Sequence, residues 1–284
     1  MTAWNRELFI GESINSILRQ TYENFELIVV DDGSTDGTCR VVETFKDPRI
    51  RLFRQPHSGI ASSANFGVAQ ARGEYIARLD SDDISLPERL RLQVSALETH
   101  PLAVLCYTDT EPFGGNSADL KRPRLPQDDM LVALKMCFLC PIVHTSVMFR
   151  KKAFNRAGAY SSKTPVAEDY SLFTRLILEG GFVAIPKILV KYRLHETSAT
   201  QDNLATMRRL TKEIAVEHSK VFFRFSETQA ERIFEDFTAP YEQRSLSLWG
   251  CFCLKTLSKS KCWRVEPLAW LFKQTITLIW RKIA

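Results

Sequence analysis

The sequence predicts an α/β fold in which a mostly parallel central sheet carries helices on both faces and a helical extension follows at the C-terminus. Three observations point there. β-rich runs alternate with helical runs through about the first 110 residues. The gaps between successive β-rich runs are long enough for helical crossovers. A chain of 284 residues, 45% of them hydrophobic, can bury a large core.

The elements follow in order. "LFIGESINSILRQ" (8–20) sets Ile10, Ile14, Ile17 and Leu18 on one helical face. "FELIVV" (25–30) is a strand ending in Asp31-Asp32-Gly33, and the next strand, "RIRLF" (49–53), comes about twenty residues on. That separation suits a crossover helix, to which Val41, Val42 and Phe45 give an apolar side, better than a hairpin. A second helix fits 59–72, and "EYIARLD" is the third strand. Ser85-Leu86-Pro87-Glu88 has the form of a capping box with proline in the first turn, opening a helix to about His100. "LAVLCYTD" (102–109) is the next strand. In such sheets ligands sit at the carboxyl ends of strands, and both acidic clusters, 31–32 and 80–83, fall there.

Beyond a Pro/Gly/polar stretch (111–128), "HTSVMFRKKAF" (144–154) reads as strand then helix. "AEDYSLFTRLILEGG" (167–181) reads as a helix with an acidic start and a glycine stop. "FVAIPKILVKYRLHETSAT" (182–200) offers short strands and a polar turn, and 202–237 has helical periodicity. The expected organisation is a first half over 1–110, a second over 111–200, a helical extension over 201–245 and a basic region over 246–284.

Charge is uneven. Residues 246–284 hold seven Lys/Arg and one Glu, whereas the rest holds 31 basic and 32 acidic residues, which argues against a nucleic-acid surface on the main body. Seven dispersed cysteines with no secretory signal ahead of them read as reduced thiols in a cytoplasmic protein. Cys137 and Cys140 form a single C-x-x-C without a second pair at zinc spacing, and are expected to be buried on a helix.

In "YIARLDSDD" (75–83), Asp80, Asp82 and Asp83 lie within four positions. Carboxylates so close repel by about 3 kcal/mol per pair at ~5 Å and an effective dielectric near 20. Helix capping does not explain them if Ser85 and Glu88 form the cap. A shared divalent cation, Mg²⁺ or Mn²⁺, does, and such ions commonly bridge to substrate phosphates. Asp31-Asp32 in "DDGSTDGT" is ambiguous alone: a turn and helix start, or a carboxylate facing a base or ribose. Asp169, taken alone, reads as a helix N-terminal charge favoured by the dipole. His57 and His144 read as structural.

Four motifs in order, "QTYENFELIVVDDGSTDGT", "HSGIASSANFGVAQARGEYIARLDSDD", "AEDYSLFTRLILEGG" and "VKYRLHETSAT", closely resemble family 2 glycosyltransferases over about residues 2–200. The resemblance implies the GT-A fold and metal-dependent, inverting transfer of a sugar from a nucleotide-sugar. UDP-sugars are the usual donors. Acceptors would be glycans or lipid-linked glycans of surface polysaccharides, without nucleic acid. It implies that Asp32 binds the nucleobase and that Asp80-Ser81-Asp82 is the D-x-D motif. Asp82 would lie at the ribose and diphosphate, and Asp83 with Asp82 would hold the metal. Asp169 would be the catalytic base. The "YRxHxxSxT"-like segment matches Tyr192, Arg193, His195, Ser198 and Thr200, with Arg193 and His195 as candidates for phosphate or metal contact. Thr2, Ala3 and Trp4 would be the remnant of a donor-binding turn.

The chemistry agrees. A cation can neutralise the departing diphosphate, and a positioned carboxylate can take the acceptor hydroxyl's proton.

Two departures stand out. The family begins with an apolar strand inside the sheet, and here the chain opens at "MTAWN", so that strand is expected to be absent and neighbouring strand edges exposed. A pseudoenzyme or truncated GT-A fragment is therefore the nearest alternative. A Mg²⁺-binding phosphoacceptor module and a nucleotidyltransferase are more distant ones, since neither gives all four motifs a role. The other departure is "PLAWLFKQTITLIWRKIA" (267–284), a basic amphipathic stretch too short and charged to span a bilayer. It suits peripheral contact with an anionic membrane, or packing on protein.

Overall fold

The structure is a computed structural model, and it describes residues 1–115, 126, 128–195 and 204–238. The described residues fall into two compact units, one within Met1–Leu125 and Ile142–Asn203, the other within Pro126–Pro141 and Leu204–Ala284.

In the first unit a short strand β1 (Thr2–Ala3) leads to α1 (Ile10–Leu18), then β2 (Leu27–Asp31), α2 (Thr38–Thr44), β3 (Ile50–Arg54) and α3 (Ile60–Gln70). The three strands form a parallel sheet in the order β1-β2-β3. Alternation along β2 explains the layering. Leu27 and Val29 cluster with Ile10, Ile14 and Ile17 of α1 and Val42 of α2. Ile28 and Val30 face α3 on the opposite side, where a Cβ on Gly67 would lie 3.2 Å from Val30.

The strand expected to be absent is present in part. Met1 carries the pairing on, its ammonium donating to the Ile28 carbonyl (3.0 Å) and its carbonyl accepting from Val30 N–H (2.9 Å). Thr2 and Ala3 pair with Val30 and Asp31, and the Ala3 carbonyl accepts from Asp32 N–H (2.8 Å). Thr2 and Ala3 thus set the carboxyl end of β1 beside that of β2. Past Met1 a cavity of about 580 Å³ opens, lined by Leu27 and Ile28 of β2 and by the next strand, β4 (Tyr75–Ala77).

β4 begins a second sheet with β5 (Ile84–Ser85), β6 (Ala103–Phe113), β7 (Val147–Arg150) and β8 (Gly181–Arg193), ordered β4-β7-β6-β8-β5. This sheet is mixed: only β6–β8 is parallel. Its helices are α4 (Arg89–Thr99), α6 (Lys151–Arg156) and α7 (Glu168–Glu179). Leu90, Val94 and Leu97 of α4 pack on Ala103, Cys106 and Met148. β8 is one long strand with a register shift opposite Thr108–Asp109, where Pro186 cannot donate to the ladder.

The capping box does not form. Ser85 is in β5, and α4 starts four residues later with Glu88 at its N-cap and no side-chain cap bond. Pairing of Ser85 with Val190 of β8 takes it out of the helix, and Gln20 Oε1 receives Leu90 N–H instead (3.0 Å). The pairing has a second effect. Because β5 lies antiparallel beside the end of β8, the loop 80–83 is held against Arg193 and His195.

The second unit contains α5 (Asp129–Lys135), α8 (Leu204–Phe223) and α9 (Glu227–Thr238). Asp128 caps α5, accepting from Met130 and Leu131 N–H. Leu131 through Leu134 are all buried, Phe138 stacks on Phe237 at 4.1 Å, and His218 Nε2 meets the Ala133 carbonyl at 2.9 Å. Cys137, just past α5, is a buried free thiol pushed up to about 12 by burial, and Cys140 is half-buried. Ser198, Thr200 and the basic stretch 246–284 lie outside the described residues.

Candidate active site

The carboxyl ends of β1 and β2 bring residues 3–5 beside Asp31 and Asp32. Asp32 is almost fully buried, and its carboxylate is saturated with donors: Gln55 Nε2 (2.9 Å), Ser58 N–H (2.9 Å) and Oγ (3.1 Å), and Gly59 N–H (2.9 Å). Burial raises its pKa, but the bonds from Ser63, Gln55, Ser58 and Gly59 outweigh that and hold it below the usual carboxylate range. His57 Nδ1 stands 2.9 Å from the same carboxylate, and its ring lies 4.7 Å from that of Trp4, which is half exposed. Gly33 permits this close turn: at φ +76° it needs no Cβ, which would sit 2.7 Å from His57 N.

A second constellation surrounds the loop 80–83. Arg78, buried at 5% exposure, donates to Asp80, to Thr2 Oγ1 (3.1 Å) and to the Leu79 carbonyl. Burial raises the Asp80 pKa, yet the charge of Arg78, with His144, the N-terminus and Arg6, brings it below the ordinary value. Asp82 Oδ2 lies 3.0 Å from His195 Nε2 and 3.4 Å from Arg6 Nε. Asp83 has no solvent exposure at all. One oxygen accepts Arg193 N–H (2.8 Å) and the other is buried without a hydrogen bond. Burial first, then the charges of Asp80 and Asp82, push its pKa up to about 8.

Arg193 is committed several times over. Its Nε donates to the Asp82 carbonyl (2.7 Å), its Nη2 pairs with Glu12, and its guanidinium lies 5.0 Å from the Phe9 ring and 4.4 Å from Phe113. The arginine expected at the phosphates is a strap joining β8, the acidic loop and α1.

Glu168 and Asp169 open α7. Burial raises Asp169 to about 6, and the nearby Asp80 charge adds to this against the bond from Tyr170 N–H. Glu168 is 5% exposed with one oxygen unpaired and is pushed up to about 7 by burial and then by Asp169. His144, bonded to the Tyr160 hydroxyl at 2.7 Å, is driven down to about 3 by burial and the charge of Arg78. The structure brings these together: Thr2 joins Asp80 through Arg78, and Asp82 and Asp83 meet His195 and Arg193. Asp32, Ala3 and Trp4 form the neighbouring lobe.

The implied divalent cation can be set against Asp82 and His195. Asp82 presents a partly exposed carboxylate, the oxygen donor that Mg²⁺ and Mn²⁺ take, and its Oδ2 is hydrogen-bonded to His195 Nε2 at 3.0 Å. No group of three His, Cys, Asp or Glu side chains forms a closed cage among the described residues. The set fits an ion that takes one or two protein ligands and completes its shell with substrate oxygens and water. The two aspartates expected to hold the metal differ here. Asp82 keeps a partly exposed carboxylate, while Asp83 spends its own on β8.

Sequence reasoning missed Arg6, Arg78 and His57 as parts of the site. The pattern "NRE" beside the expected donor-binding turn was the one available signal for Arg6. Arg78 and His57 acquire their roles only through partners distant in sequence.

Comparison with known proteins gives the family and the fold. The family model for Glycosyl transferase family 2 matches residues 1–158. An uncharacterised glycosyltransferase of Haemophilus influenzae is 33% identical over 207 residues, 68% of this chain and 64% of its own length, so the chain spans under two-thirds of that relative. The Escherichia coli enzyme WfgD, a UDP-Glc:α-D-GlcNAc-diphosphoundecaprenol β-1,3-glucosyltransferase, is 32% identical over 74% of this chain and 81% of its own. Among solved structures, Staphylococcus aureus TarS with UDP-GlcNAc superposes with a TM-score of 0.62 at 20% identity, covering 90% of this chain and 80% of that one. The mannosyltransferase PcManGT of Pyrobaculum calidifontis, with GDP-Man and Mn²⁺, gives 0.60 at 16% identity, covering 99% and 86%. The fold is GT-A, and the chain belongs to glycosyltransferase family 2.

Proposed function

We propose that the chain transfers a sugar, with inversion, from a UDP-sugar to a hydroxyl of a glycan or lipid-linked glycan acceptor. The observation that carries this is the meeting of the Asp80–Asp83 loop with Arg193 and His195. WfgD and TarS, whose names or bound ligands include UDP-sugars, support the donor class.

In this reading the Asp32 lobe receives the nucleobase, with the Trp4 ring at its rim. Asp82 and His195 would hold a divalent cation, which when bound neutralises charge on the departing diphosphate. Asp83 positions them by fixing β8, and Arg78 keeps Asp80 ionised and aligned. Asp169 accepts the proton of the attacking hydroxyl at a carboxylate oxygen. A pKa raised to about 6 leaves it ionised at neutral pH yet more basic than an ordinary aspartate. Surface-polysaccharide synthesis at the cytoplasmic membrane face, with 246–284 as a peripheral contact, belongs to the same proposal.

The test is release of UDP from UDP-sugars in the presence of Mn²⁺ and a diphospho-lipid acceptor, for wild type and Asp169→Asn. Wild-type turnover should fall as pH drops through about 6, because the base must be ionised. The variant should bind UDP normally and lose turnover by roughly a hundredfold or more. Undiminished turnover in Asp169→Asn would rule out its assignment as base.

A further inference from the structure

The loop 80–83 is tied at both ends. At its far end Asp83 accepts Arg193 N–H from β8 (2.8 Å). At its near end the chain leaves β4, and a side-chain hydroxyl makes the tie. β4 runs antiparallel to β7, with Ala77 opposite Met148 and Arg78 N–H on the Val147 carbonyl (3.0 Å). The same register sets Asp80 opposite Thr145, where the next rung of the ladder would take Asp80 N–H to the Thr145 carbonyl. There, however, His144–Ser146 form a 3₁₀ turn, closed by Ser146 N–H on the Val143 carbonyl and Val147 N–H on the His144 carbonyl. Asp80 N–H goes to Thr145 Oγ1 (3.1 Å). The hydroxyl thus stands in for a rung that the turn removes, and Thr145 is buried at 1% exposure.

What depends on this bond is Asp82. Asp83 N–H closes back on the Asp80 carbonyl (3.3 Å), so the backbone of Asp80 is the base on which the loop stands. Arg78 holds the Asp80 carboxylate, which leaves the Asp80 backbone to Thr145. Between the two ties Asp82 presents its partly exposed carboxylate to His195.

We propose that Thr145 is a positioning residue of the nucleotide-sugar site: its hydroxyl fixes the Asp80 backbone and so sets where Asp82 stands for the cation and the diphosphate. This rests on the nucleotide-sugar reading above. A buried donor deprived of its acceptor favours arrangements in which it reaches water. Without the hydroxyl the loop would leave its seat part of the time, and a ligand that needs Asp82 would bind in proportion to the seated fraction. The hydroxyl, and not the bulk of the side chain, is what the site requires at this position.

The test is binding of UDP, by calorimetry with Mn²⁺, and of uridine, by ligand-observed NMR, to wild type, Thr145→Val, Thr145→Ser and Thr145→Ala. Threonine and valine have the same shape and differ in the hydroxyl, and so do serine and alanine, so the second pair carries the comparison if Thr145→Val does not fold. Thermal melts identify the folded variants. Thr145→Val and Thr145→Ala should weaken UDP by roughly ten- to a hundredfold. Thr145→Ser should stay within about threefold of wild type for UDP, and uridine should stay within about threefold throughout. Unchanged UDP affinity in folded Thr145→Val or Thr145→Ala would overturn the proposal. So would a loss in Thr145→Ser as large as in Thr145→Ala, or a parallel loss for uridine, which would make Thr145 a general prop of the fold. Absence of UDP binding by wild type would instead overturn the nucleotide-sugar reading, and this proposal with it.

Discussion

Replacement of Arg193 by alanine should destabilise the first unit strongly, because the strap it makes has no substitute. The loss can be assembled from its contacts. The Nε bond to the Asp82 carbonyl is worth about 1 kcal/mol. The two ring contacts, with Phe9 and Phe113, contribute about 0.5–1 kcal/mol each. The ion pair with Glu12, a residue mostly in solvent, adds at most about 1 kcal/mol. A total of about 2–4 kcal/mol follows. Asp83 is held by the backbone N–H of residue 193, so that bond survives the substitution. Arg193→Lys keeps the charge for Glu12 but loses the planar ring contacts and the Nε donor, and should recover less than half. Urea unfolding of wild type and both variants, followed by tryptophan fluorescence and far-UV circular dichroism, measures this directly. A cost below about 0.5 kcal/mol for alanine, or full recovery by lysine, would refute the strap and restore Arg193 to the diphosphate.

Gly33→Ala should cost at least about 2 kcal/mol, since its φ of +76° strains an alanine and the new Cβ would meet His57 N at 2.7 Å. Gly11→Ala is the control. Its Cβ would find only Val41 at 3.4 Å inside a helix, so stability should hold or rise by up to about 1 kcal/mol, and denaturant midpoints in the reverse order would contradict both. In the second unit, burial pushes His218 from its ordinary 6.5 down to about 4, so it is neutral when folded. The sign is that of a depressed pKa: its stability is complete above 6.5 and is lost as pH falls towards 4, by up to about 3 kcal/mol. His218→Gln should flatten that acid slope in hydrogen exchange of α8, and an unchanged slope would exclude His218 as its source.

Much of the first unit was legible because its signals are local. The stripe of Ile10, Ile14 and Ile17 does face β2, and the acidic strand end at Asp31-Asp32 does fall at the sheet's carboxyl edge. The acidic loop was legible as a site because three carboxylates in four positions need an explanation at any fold. What escaped depends on tertiary pairing. Ser85 has the local form of a helix cap, yet two strand pairs to β8 outweigh one capping bond. Likewise the short strands expected over 182–200 are one long β8, because its pairing with β6 carries it past the bulge at Pro186. Asp83 and Asp82 look alike in sequence, and only the approach of Arg193 from β8 separates a fully buried fastener from a partly exposed carboxylate paired with His195.

The fastening of the acidic loop supplies a natural probe of its motion. The bond from Arg193 N–H to Asp83 joins segments 110 positions apart through a single amide. That amide can exchange its hydrogen with solvent only when the loop lets go of β8. Its exchange rate is therefore a clock for undocking of residues 80–83, readable in an isotope-labelled sample without any substitution at the site. A rate equal to that of the β6–β8 ladder would mean that loop and strand open as one unit, and a faster one that the loop lifts by itself.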